Sequence, residues 1–217
     1  MEITWYGHSC FRLTERNYVT VVTDPFDNKK VGYDPLKLKA EIVTISHDAP
    51  GHNNSDAVKG TTHVLTGPGE FEIGGVFITA VQTDSAGRSA KSKDNIRNTI
   101  YVFDYDGITV AHLGDLKKIP TQSEIELLGT VNVALVPVGG GGSLNASKAA
   151  EVVSMLEPDL VVPMHYSTPD TKVELDSINK FIKEMGLSQQ DAQPSLKVSR
   201  SSLPSETHVV VLEYQKG

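Results

Sequence analysis

The stretch from Val43 to Asn54 sets two imidazoles five residues apart, His47 and His52, directly after the β-branched run Val43-Thr44-Ile45. A buried strand is expected to end there and a loop to begin. Side chains at such a point are held by a sheet yet face a crevice, which makes the stretch a candidate site. The bland reading has both rings hydrogen-bonding to nearby loop backbone. His8 lies in the turn Gly7-His8-Ser9 after another apolar stretch, where an imidazole carries protons, serves as a ligand or only stabilises the turn. Gly139-Gly140-Gly141-Gly142-Ser143 precedes a helical pattern. Consecutive glycines let backbone N–H groups converge on an anion, and otherwise they form a flexible strand-to-helix turn.

The elements that must position these residues change rhythm along the chain. Short strands are expected over 2–6, 10–14, 18–23 and 42–46, the third stopped by Asp24-Pro25 because proline removes a ladder donor. A polar loop runs between the third and fourth, and a short helix is expected over 55–58. Further strands follow over 63–66, 70–73 and 76–81, with Gly74-Gly75 as a hairpin turn and Gly67-Pro68-Gly69 as a bend. The composition over 82–97 suggests an exposed loop. A second hairpin over 99–104 and 109–113 turns at Asp106-Gly107. Helices are then expected over 121–128, 145–156 and 171–185, with strands over 131–136 and 160–163 between them and over 197–199 and 208–214 at the end. Strands first, then alternating β and α, imply sheets covered by helices on their outer faces.

A chain of 217 residues with 39% hydrophobic residues suits one domain, 1–217, with a sizeable core. Its net charge of −7 is spread without long single-sign runs, so nucleic acid is a poor partner. Cys10 is the only cysteine, which excludes an intrachain disulfide and fits a reducing compartment. The first residues lack a basic and apolar leader, and no run approaches the roughly 18 apolar residues of a membrane span. A soluble cytoplasmic protein acting on a small molecule is expected, and the oligomeric state has no signature.

His47-Asp48-Ala49-Pro50-Gly51-His52 resembles H-x-H-x-D-H, the signature loop of the metallo-β-lactamase fold, with Ala49 at the middle histidine and Gly51 at the aspartate. Other stretches resemble the same superfamily in the same order. Trp5-Tyr6-Gly7-His8-Ser9-Cys10-Phe11, Val22-Thr23-Asp24-Pro25-Phe26 and Gly67-Pro68-Gly69-Glu70-Phe71-Glu72 resemble its ascorbate-6-phosphate-lactonase-like branch. Ala111-His112-Leu113-Gly114-Asp115-Leu116 resembles the strand end whose aspartate bridges two metals. Val136-Pro137-Val138-Gly139-Gly140 and Val162-Pro163-Met164-His165-Tyr166 resemble the last two motifs, whose histidine binds the second metal.

The resemblance implies a four-layer αββα sandwich of the α/β class. It also implies a metal site that has lost ligands, since neither a methyl group nor a hydrogen can bind a cation. The first of the family's two sites keeps His47 alone. Where the family supplies its third histidine this chain has Thr83-Asp84-Ser85, with Asp84 as a substitute oxygen donor. The second keeps His52, His165 and Asp115, a set suited to Zn²⁺, with Mn²⁺ or Fe²⁺ as alternatives. One divalent metal at most is expected, or none. The implied activity is hydrolysis of a small ester, lactone or phosphorylated metabolite, with His47 or His8 orienting substrate or moving a proton. The alternative is a catalytically lapsed, metal-free member that binds small molecules or acts as a scaffold. Asp24 is expected chiefly as a turn cap, His112 as a packed core residue, and Glu70 and Glu72 as structural or as supports behind the ligands.

Overall fold

The computed structural model describes residues 1–83 and 97–216. One sheet has six strands: β1 (Glu2–Trp5), β2 (Phe11–Thr14), β3 (Val21–Thr23), β5 (Ile42–Thr44), β7 (His63–Leu65) and β14 (Leu196–Lys197), in the order β14-β1-β2-β3-β5-β7. The other has seven: β8 (Gly69–Ile73), β9 (Val76–Thr83), β10 (Asn98–Asp104), β11 (Thr109–His112), β12 (Val133–Pro137), β13 (Leu160–Met164) and β15 (His208–Val209), in the order β15-β13-β12-β11-β10-β9-β8. In the first sheet β3, β5 and β7 run parallel, and in the second β11, β12, β13 and β15 do.

Alternation along the strands divides the core. In β3, Val21 joins the cluster shared by both sheets, while Val22 points the other way; Ile42 and Val43 do the same in β5. The shared cluster takes Ile3, Phe11 and Leu13 from the first sheet and Ile78, Ile100 and Val133 from the second, so the sheets pack face to face. The outer face of the six-stranded sheet is covered by a smaller cluster. It includes Phe26, Val31 of the one-turn helix α1 (Asn28–Val31), and Leu38 and Val58 of the two-residue strands β4 (Leu38–Lys39) and β6 (Val58–Lys59). Beyond the seven-stranded sheet, α3 (Ala146–Leu156) packs against β12 and against α4 (Ile178–Glu184), and α2 (Gln122–Leu128) lies near β9. No helix among the described residues is long and apolar enough to cross a membrane.

Several sequence expectations are corrected. α1 lies in the segment expected as a polar loop, and Asp27 caps it by accepting from Lys29 N at 2.9 Å. The helix expected over 171–185 shrinks to α4. Residues 171–177 form a strap instead: Lys172 N donates to Val31 O at 2.9 Å, Asp176 N donates to Gly139 O at 2.7 Å, and Thr171 bridges Gly32. Tertiary hydrogen bonds outweigh helical propensity there. β9 runs on through Gln82 and Thr83, because Asn98 pairs opposite Thr83. Asp84 and the rest of the expected loop to 96 lie outside the described residues. In the last expected strand only His208 and Val209 join the sheet. The short strands β4 and β6 were not expected, the other strands and α2 and α3 fall within a few residues of their expected positions, and 55–57 is a 3₁₀ turn.

The two sheets are stitched beside the end of β5. Thr99 N donates to Ser46 O at 2.8 Å, and the single proton of Tyr101 Oη is shared between the carbonyls of Ile45 and Leu65, at 3.2 and 3.0 Å.

Candidate metal centre

Each expected site residue lies just past the C-terminal end of a strand. His8 follows β1, His47 and His52 follow β5, Asp115 follows β11 and His165 follows β13. All line one cavity of about 340 Å³. Three non-glycine residues of this region adopt left-handed backbone: His8 (φ 50), Asp24 (φ 40) and His165 (φ 53). Such conformations cost free energy and persist where surrounding contacts over-determine them. Here the contacts are visible, since the His8 carbonyl accepts from Trp5 Nε1 at 3.1 Å and from His165 N at 3.0 Å.

The hydrogen bonds fix which nitrogen of three imidazoles carries the proton. His52 Nδ1 is 2.8 Å from Asp24 Oδ2, and a carboxylate can only accept, so Nδ1–H donates. Ser46 Oγ spends its single proton on Asp24 Oδ2 at 2.6 Å, so its 3.1 Å contact with His47 Nδ1 has the imidazole as donor. Likewise Ser143 Oγ donates to Gly140 O at 2.7 Å and accepts from His165 Nδ1 at 3.1 Å. In every case Nε2 is left with a lone pair. Two of these nitrogens straddle one carboxylate: His47 Nε2 is 3.7 Å from Asp115 Oδ2, and His165 Nε2 is 3.8 Å from Asp115 Oδ1.

Asp24 is therefore more than a turn cap. It is fully buried and accepts from Ser46 N at 2.7 Å, from Ser46 Oγ and from His52, so it holds His52 directly and His47 through Ser46. Sequence reasoning gave Ser46 and Ser143 no role of their own, although both lie in stretches it singled out, and missed Asn98 altogether. Asn98 Oδ1 accepts from Asp115 N at 2.9 Å while its amide donates to Leu113 O at 3.0 Å, which sets the carboxylate's direction. None of these carries a local signature, because the partners that decide their roles, Asp24 for Ser46, His165 for Ser143 and Asp115 for Asn98, are distant in the chain. The glycine run serves the same end, since a Cβ at Gly139 would overlap the His165 carbonyl and the turn delivers Ser143 to that ring. His112 is buried as expected, with Nε2 on the Ser9 carbonyl at 2.9 Å.

Burial pushes His8 and His52 well below the ordinary imidazole range, and the neighbouring histidines push further in the same direction. His47 and His165 are also lowered by burial, opposed by Asp24 for the former and by Asp115 for the latter. Burial raises Asp115, against His165 and Lys117, whose Nζ lies 3.8 Å from Oδ2. Neutral imidazoles and one carboxylate are the protonation states a divalent cation needs.

The donor set fits such an ion. Ligand atoms fall into two groups within 4.8 Å of one another, one of His8, His52 and His165 and one of His47, His52 and Asp115. The expected trio of His52, Asp115 and His165 is thus divided between two groups that share His52. Because His52 Nδ1 is committed to Asp24, its one free nitrogen serves a single ion, so the two groups cannot each hold one through His52.

The profile of the Beta-lactamase superfamily domain matches residues 2–165. The UPF0173 metal-dependent hydrolase of Thermococcus onnurineus is 28% identical over 211 residues, covering 84% of this chain and 92% of that protein. The crystal structure of a candidate Zn-dependent hydrolase from Thermotoga maritima is 35% identical, with a TM-score of 0.79 over 99% of both chains. A candidate metal-dependent hydrolase from Parabacteroides distasonis shares the fold at 22% identity, with a TM-score of 0.65 over 97% of this chain and 93% of that one.

Proposed function

The chain belongs to the metallo-β-lactamase superfamily, and from that premise we propose that it is a metal-dependent hydrolase using one divalent ion on a small ester, lactone or phosphorylated metabolite. One observation carries the reading. Three buried imidazoles, each tethered through Nδ1–H, leave Nε2 lone pairs that cluster with the Asp115 carboxylate. Lone pairs gathered in a low-dielectric interior repel one another unless a cation lies among them.

His52, His165 and Asp115 would hold the ion, Zn²⁺ first and Mn²⁺ or Fe²⁺ next. When bound, it supplies Lewis acidity towards a substrate oxygen and makes water a stronger acid. His47 is the proton carrier. Its lowered pKa keeps Nε2 free at neutral pH, and the imidazolium that forms is balanced by Asp24 through Ser46 and by Asp115 Oδ2. Lys30 on the cavity wall and Lys117 beside Asp115 favour an anionic substrate in an otherwise acidic protein. The cavity is near the lower end of the roughly 300–1,000 Å³ of small-molecule sites, so the substrate is small.

Elemental analysis of protein purified without chelator tests the reading, followed by a hydrolysis screen of small lactones, esters and phosphoesters with stripped and reloaded protein. One equivalent of metal and metal-restored turnover are expected. Metal-free protein that takes up no ion, or two equivalents, contradicts it.

A further inference from the structure

We propose that His8 is a metal ligand, forming with His52 and His165 a three-imidazole face and taking the space that a side chain at position 51 would fill. This rests on the single-ion reading above and names the residue that completes its centre. Ring nitrogens of the three histidines lie within 4.8 Å of one another, and the His8 ring centre is 4.2 Å from that of His165 and 4.8 Å from that of His52. A Cβ built on Gly51 would lie 2.9 Å from His8 Nε2 and 3.3 Å from its Cδ2. The imidazole is seated against bare backbone of the His52 loop, and a larger residue at 51 would evict it.

His8 also lacks what a merely structural histidine has. Nδ1 is buried without a partner in both His8 and His112, but His112 rests Nε2 on a carbonyl at 2.9 Å, whereas neither ring nitrogen of His8 makes a hydrogen bond among the described residues. A buried imidazole with neither nitrogen paired costs free energy, and that cost is offset if one of its nitrogens faces an ion. The left-handed backbone at His8 is pinned to the backbone of His165, which fixes the two rings relative to each other. A donor at position 8 and one at position 51 are therefore alternatives. Each approaches the ion from the same side, and there is room for one. Three imidazoles beside one carboxylate favour borderline ions such as Zn²⁺ and Co²⁺ over Mg²⁺ or Ca²⁺.

The test compares the parent with His8→Asn, Gly51→Asp and the double variant. Each full-length protein is stripped, titrated with Co²⁺ by visible absorption and competed with Zn²⁺ against a chromophoric chelator. Asparagine tolerates the left-handed backbone at position 8, so the metal-free single variant is expected to melt near the parent. The parent binds one ion. His8→Asn loses about a hundredfold or more in affinity, at or beyond the roughly 10–100-fold cost of losing a supporting partner, and its Co²⁺ spectrum changes. Gly51→Asp alone also loses affinity, because it collides with the ring, and the double variant binds more tightly than either single one. In the Co²⁺-loaded parent, three paramagnetically shifted imidazole N–H sets are expected. Parental affinity and spectrum in His8→Asn, or two shifted sets, would overturn the assignment of His8 and leave the single-ion reading standing. A parent that takes up neither ion overturns both.

Discussion

Asp24 organises more of the centre than any residue that touches the cavity. Its carboxylate accepts from three donors, and an amide of the same size cannot accept from all of them. Asp24→Asn is therefore expected to release His52 and His47 from their fixed tautomers and to cost roughly 10–100-fold in metal affinity. A competition titration measures it, and unchanged affinity would break the link between Asp24 and the ion. In the sequence this aspartate precedes a proline and reads as a cap; the contacts that decide its role come from 22 and 28 residues further on. The histidines themselves were legible because their residue types at strand ends signal chemistry.

The same residues set a pH dependence. His8, His47, His52, His112 and His165 all titrate below 6.5 in the folded chain because of burial. Between their folded values and about 6.5 the unfolded chain binds more protons, so stability rises with pH across that window and is lost as pH falls through it. Asp24 and Asp115, raised from 3.8 by burial, act in the opposite sense from that value upwards, but they are two groups against five. The chelated protein is expected to melt at lower temperature at pH 5.5 than at pH 7.5. A flat or rising profile would show the imidazoles are charged when folded.

Among the elements, the joint between β5 and β11 leaves no room for a side chain. Gly114 has φ 63, and a Cβ there would overlap Asn98 Oδ1 and lie 2.5 Å from Ser46 Cβ. Gly129 ends α2 at φ 66 with nothing within 4 Å. Alanine at either position carries a positive-φ cost of about 1–3 kcal/mol, but only Gly114→Ala also pushes Asp115 and Ser46 apart. Thermal melts should place Gly114→Ala well below Gly129→Ala, with metal affinity lost in the first alone. Equal losses would mean the joint relaxes freely. Such a joint is invisible in the sequence, as is the 171–177 strap, whose conformation is set by hydrogen bonds to α1 and the Gly139 turn. β1 and β2 were legible because one face of each packs between the sheets and imposes a period of two, and β12 and β13, buried on both faces, because they are short continuous apolar runs.

For the molecule as a whole, the centre is a seam. His8, His47 and His52 follow strands of the six-stranded sheet, whereas Asp115 and His165 follow strands of the seven-stranded one. An ion between them would tie the sheets together and stabilise the folded state by mass action, by about 2.7 kcal/mol at a hundred times its dissociation constant. At about 2–4 °C per kcal/mol for a chain of this size, chelation should lower the melting temperature by roughly 5–10 °C. A calorimetric scan with and without chelator measures the shift, and its absence would leave a metal-free binding protein as the better reading. The most direct measurement is anomalous diffraction from crystals of protein purified without chelator, collected at the absorption edge of the metal found. The account predicts one anomalous peak per chain, about 2.0–2.1 Å from His52 Nε2 and in reach of His8, His165 and Asp115. Two peaks, or one away from His52, would contradict it.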